Sequence, residues 1–141
     1  MSKIACALTV IVGCVSAGGL ACGGVHKDWF SACYAVVVGT VSTEAGNPVT
    51  GAKITMRAFV LDHDVVVSID STVTDTAGWF ERSLQRVGIG DIDARVVLEV
   101  TPPQGSGLQA LDYEIPRVLF TDSLNGPPDT VRVDLTLPPI P

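Results

Sequence analysis

Apolar and polar residues alternate with a period of two along most of this chain, the signature of strands that bury one face. In residues 65–73, VVVSIDSTV, the apolar or small set is Val65, Val67, Ile69, Ser71 and Val73. Ser68, Asp70, Thr72 and Thr74 alternate with them as the polar set. The pattern predicts a central strand whose apolar set faces the core. Asp75-Thr76-Ala77-Gly78 follows as a turn, since Asp can accept from the backbone two residues on and Gly takes positive φ without a Cβ clash. Trp79 and Phe80 restart the pattern, with Phe80 and Leu84 inward.

The same reading extends in both directions. Residues 35–41 are apolar on both faces at their start and predict a covered first strand. Between 52 and 61, Ala52, Ile54, Met56, Ala58 and Val60 share one face. Residues 85–93, with Gly88 and Gly90, read as a loop, and 94–101 alternate with Ala94, Val96, Leu98 and Val100 inward. After the irregular stretch 102–112, residues 114–120 predict a weak strand, placed at a sheet edge because Pro116 cannot donate to a ladder. Residues 131–137 alternate throughout. About seven short strands separated by turn signals, with no helical period between them, predict a seven-stranded antiparallel β-sandwich and exclude an α/β fold.

The N-terminus follows a different pattern. Met1-Ser2-Lys3 precedes a largely apolar run over 4–15, and small residues follow as far as Gly23. A charged start, about a dozen apolar residues and a small-residue exit describe a cleaved signal peptide over residues 1–21. Leu20-Ala21-Cys22 resembles the lipobox of bacterial lipoproteins, which implies a lipidated Cys22 at the mature terminus. Ile11-Val12-Gly13-Cys14 also fits the local pattern, and ordinary cleavage near Ala21 is a third outcome. Residues 22–34 then form a tether and 35–141 the domain. Without a lipid on Cys22, a Cys22–Cys33 disulfide is chemically reasonable in an oxidising compartment.

Charge narrows the partners. Nine Lys plus Arg against fifteen Asp plus Glu give a net charge of −6, with no basic run, which argues against nucleic acid. A membrane is then reached through the lipid and not through charge.

The assembled motifs resemble the carboxypeptidase regulatory-like domain, a transthyretin-like sandwich. The matching pieces are Val38-Gly39-Thr40-Val41, then Gly46-Asn47-Pro48-Val49-Thr50-Gly51-Ala52, then Ser71 through Thr74-Asp75 to Gly78-Trp79-Phe80. The resemblance implies that Gly39, Pro48, Gly51, Ala52, Asp75, Gly78 and Phe80 are structural. It also implies an accessory or interaction module that carries no chemistry of its own.

Candidate chemistry is sparse. Asp62-His63-Asp64 reads as a solvated polar turn in preference to a metal corner, and Asp91 with Asp93 matches no calcium loop. No nucleophile elbow is present, and Cys33 at the start of an apolar strand reads as an inert thiol. Trp79, one residue before the inward Phe80, points to the other face and is the candidate ligand contact. The expectation is a non-enzyme without metal or cofactor. It is an exported lipoprotein of the bacterial cell envelope, with an unidentified envelope protein or glycan as partner. The alternative is a secreted carbohydrate- or ligand-binding domain using Trp79 and the 85–93 loop.

Overall fold

A computed structural model describes residues 32–88 and 90–141. The signal peptide, the lipidation site Cys22 and the tether as far as residue 31 lie outside the described residues. Cys33–Arg86 with Gly90–Pro141 make one compact unit, while Ala32, Val87 and Gly88 are the described residues of a second. Seven strands account for the regular structure: β1 (Ala32–Thr43), β2 (Lys53–Val60), β3 (Val66–Val73), β4 (Trp79–Val87), β5 (Ile92–Thr101), β6 (Leu111–Asp122) and β7 (Asp129–Leu137). The described residues are all-β.

The strands form one hydrogen-bonded path, β3-β2-β5-β6-β1-β4, with β7 joined to β1. β2–β3, β2–β5, β5–β6 and β1–β6 are antiparallel, whereas β1 and β7 run parallel from Ala35↔Asp129 to Thr43↔Leu137. β1 therefore changes partner along its length, pairing with β6 at Cys33 and Tyr34 and with β7 from Ala35 onward. The two end strands of the path meet through their side chains. Arg82 of β4 donates to Asp70 of β3 at 2.8 Å, so the path is nearly closed.

One core fills the interior. Ile54, Met56 and Ala58 of β2 and Ala94, Val96, Leu98 and Val100 of β5 are buried, as their alternation predicts. Phe80, Leu84, Val133, Leu135 and Leu137 close the core from the β4 and β7 side. Gly39 is needed there. A Cβ on it would come within 1.7 Å of the Val133 carbonyl oxygen and 3.0 Å of the Phe80 ring.

One strand differs from the alternation reading. β3 is an end strand with its faces reversed: Ile69 is 61% and Val73 57% exposed, while Asp70 and Thr72 are half-buried. The reason is parity. Thr74 is buried, donating its hydroxyl to the Val49 carbonyl at 2.6 Å and accepting from the Ala52 N–H at 2.9 Å. Fixing Thr74 inward carries Thr72 and Asp70 inward with it and turns Ile69 and Val73 out, while Val67, at the register shift opposite Ala58 and Phe59, still packs on the core.

β6 stands between β5 and β1 in the strand order, but it meets β1 only at Cys33↔Asp122 and Tyr34↔Thr121, so the stretch around Pro116 is in register with β5 alone, as an edge position requires. Its register against β5 slips between Ala94↔Val118 and Val96↔Ile115. Pro116 falls in that bulge, where its missing N–H breaks no ladder bond. The stretch read as a loop over 85–93 is shorter, because β4 runs on to Val87 and β5 starts at Ile92.

Candidate functional site

The turn before β4 sets the position of Trp79. The Asp75 carboxylate accepts from the backbone N–H groups of Ala77 and Trp79, both at 2.9 Å, and Gly78 donates to the Asp75 carbonyl. Gly78 has φ of 73°, and a Cβ there would lie 2.5 Å from the Val41 carbonyl oxygen. Glycine alone suits that backbone. Pro48, Gly51 and Ala52 sit across from this turn, tied to it by Thr74: Gly51 donates to the Thr74 carbonyl and Thr74 to that of Ala52. The two motif segments thus form one knot beside Trp79. Thr74, which the sequence reading counted only as polar, is its fastener. Its signal was a threonine placed immediately before the turn-forming aspartate.

Trp79 is half-buried on the outer face of β4, opposite in direction to the buried Phe80. The Arg132 guanidinium lies over its ring, 5.4 Å from the centroid. Arg132 reaches Asp134 at 3.4 Å, and Thr40 donates its hydroxyl to Asp134 at 2.7 Å. The Thr40 hydroxyl and then the Arg132 guanidinium hold the Asp134 carboxyl below its ordinary value, so it is an anion at neutral pH. Beside Thr40 opens a groove of about 420 Å³, bounded by Ser42, Gly46, Pro48 and Ala77.

The other candidates gather elsewhere. Asp91 accepts from the Asp122 N–H and the Asn125 side-chain amide, while Asp93 holds Arg117 in a two-point ion pair. Each of these carboxylates has local partners. Cys33 donates its thiol to the Gly90 carbonyl at 3.0 Å, and burial and then Asp122 push its pKa up, so the thiol stays protonated. Arg86 reaches this sulfur at 3.9 Å, which puts that end of β4 beside Cys33. Trp79 lies beside Val41 at the other end of β1, where the Val41 N–H donates to the Gly78 carbonyl. The two places are about 25 Å apart at roughly 3.3 Å per residue, so Trp79 and the 85–93 loop do not converge. In the turn at 62–64, Asp62 has φ of 67° and Asp64 pairs with Arg95 at 2.7 Å. No group of three or more metal-ligating side chains is gathered among the described residues.

No protein-family model matches the chain, and neither does any curated protein. Among solved structures, 3-chlorocatechol 1,2-dioxygenase from Rhodococcus opacus 1CP is similar over 80% of this chain, with a TM-score of 0.53 and 12% identity. Chlorocatechol 1,2-dioxygenase from Pseudomonas putida and catechol 1,2-dioxygenase from Acinetobacter sp. ADP1 align over 76% of this chain at 14% identity, with TM-scores of 0.47 and 0.49. The chain spans 62%, 61% and 53% of these three.

The first of these likenesses shows the fold, and it corrects the expectation of a non-enzyme. That expectation rested on the lack of a nameable acid, base and nucleophile in the sequence. The strand framework is shared with an enzyme, and a framework accepts different sites on its loops and faces. A missing motif therefore cannot exclude catalysis.

Proposed function

We propose that this chain is an exported bacterial envelope protein, lipid-anchored through Cys22, whose β-domain is a recognition module. In this reading the strand path folds as two facing layers, a transthyretin-like sandwich of the carboxypeptidase regulatory-like kind. The knot formed by Gly46–Ala52 with Thr74–Phe80 supports that reading, because those are the segments that carry the resemblance.

The single observation that carries the recognition role is the placement of Trp79. The chain enters the domain at Cys33, and Trp79 stands at the far end of β1 with Arg132 over its ring and Asp134 beside Arg132, while an open groove lies next to Thr40. A tether that starts at Cys22 leaves that end for a partner at the envelope.

The test is the intact mass and location of the mature protein expressed in a bacterial host. The expected result is a membrane-bound species equal to residues 22–141 plus a diacylglyceryl and acyl load, converted to a soluble species by Cys22→Ala. An unmodified mass in the soluble exported fraction overturns the anchor.

A further inference from the structure

Trp79 shares its sheet face with a small set of polar groups that are held in place yet incompletely used. β1 and β7 run parallel and in register here, so Val38 lies beside Arg132 and Thr40 beside Asp134. Paired residues of neighbouring strands share a face. Trp79 enters that face from β4, fixed by the Asp75 turn. The outcome is an indole, a carboxylate, a guanidinium and a hydroxyl on one surface, next to the groove at Thr40 and Ser42.

We propose that this face binds a neutral saccharide, with one sugar ring stacked on Trp79 and its hydroxyls held by Asp134 and Arg132. A sugar ring has an apolar C–H face and a rim of hydroxyls. An aromatic face edged by a carboxylate and a guanidinium complements both. The Thr40 hydroxyl fixes one Asp134 oxygen at 2.7 Å, while the other meets Arg132 Nε at the longer distance of 3.4 Å. That second oxygen retains acceptor capacity for a sugar hydroxyl.

Arg132 is the movable part. Its side chain and that of Asp134 are each 59% exposed, and their contacts lie at the long limit for hydrogen bonds. A surface pair of that kind is weakly held. Its planar guanidinium now covers the indole, so the ring face already accepts a flat polar guest. When a sugar takes that place, Arg132 swings to the rim and donates to hydroxyls there.

The charge of the site selects against ions. One arginine and one aspartate cancel, and the chain as a whole carries −6, which disfavours an anionic glycan. An open depression lined by Thr40, Ser42, Gly46, Pro48 and Ala77 adjoins the face at Thr40.

This inference rests on the recognition reading but not on the lipid. The test uses the purified full-length mature protein and a panel of neutral oligosaccharides built from glucose, mannose, xylose and N-acetylglucosamine. Isothermal calorimetry is the readout. Binding to at least one member is expected, weakened tenfold or more by Trp79→Ala and by Asp134→Ala, and less by Trp79→Phe. Thermal unfolding of each variant checks that the domain remains folded. Asp134→Asn, which keeps the shape and one acceptor, separates lost contact from lost fold. Two results overturn the site: no binding to any member of the panel, or binding that Trp79→Ala leaves unchanged. Membrane anchoring of Cys22 stands or falls separately on the mass measurement.

Discussion

Thr74 joins two turns that are far apart in sequence, and its hydroxyl does so in both directions, donating to Val49 and accepting from Ala52. Thr74→Val keeps the shape and removes the hydroxyl, leaving a buried N–H and a buried carbonyl without that partner. Such groups cost about 1–3 kcal/mol when stranded. Thr74→Ser keeps both bonds and loses one methyl, about 0.8 kcal/mol. Urea unfolding should therefore rank wild type above Ser and Ser above Val; a Val variant as stable as wild type, with a loss in Ser alone, would show that the methyl, not the hydroxyl, matters. At this scale the sequence was legible where side chains are large or turns demand a special backbone. Phe80 and Gly78 announce themselves, and the structure finds Phe80 buried and Gly78 at positive φ. Gly39 is legible only as a glycine in a strand, because the Val133 carbonyl that forbids a Cβ arrives from 94 residues away.

Among elements, β3 shows where the period of two misleads. Alternation tells which residues share a face, but an apolar set is not bound to lie inward where a buried hydrogen bond fixes the parity of the strand. At an end strand little core is at stake, so the Thr74 knot decides, and Asp70 ends up facing β4. There the Arg82 guanidinium first, and the Ser71 backbone N–H second, hold the Asp70 carboxyl below its ordinary value of 3.8. The sign follows from that depression. Folded protein binds fewer protons than unfolded chain around the ordinary value, so the contribution is fully present above it and is lost as pH falls through the folded value. Asp70→Asn should thus lower the urea midpoint at pH 7, and the gap between variant and wild type should close progressively below pH 3.8. A gap that stays constant down to about pH 2 would mean that the carboxylate charge plays no part in holding β3 to β4. The same scale explains β6. Pro116 was a sound reason to expect an edge, and its stretch is in register with β5 alone; the bulge that also accommodates it was not legible, because a bulge depends on the partner strand.

For the whole molecule, strand content was legible and strand pairing was not. Every one of the seven strands has a local signal, yet the parallel match of β1 to β7 joins residues about 94 positions apart and leaves no mark in either segment. That pairing is also where the domain is most exposed to loss. β7 contributes Val133, Leu135 and Leu137 to the core, and burying each such side chain is worth about 1.5–3 kcal/mol. Together they contribute about 5–9 kcal/mol, comparable with the net stability of about 5–15 kcal/mol that a domain retains. Removing β7 also leaves one edge of β1 unpaired from Ala35 to Thr43 and takes away the carbonyl packed on Gly39. A chain truncated after residue 128 should therefore lose its cooperative thermal transition in circular dichroism and show rapid proteolysis within β1. A retained sharp transition would mean that β3-β2-β5-β6 folds as a unit without β1–β7 pairing. β7 would then be an addition to the fold, and the Trp79 face, half of which it supplies, would be an addition too.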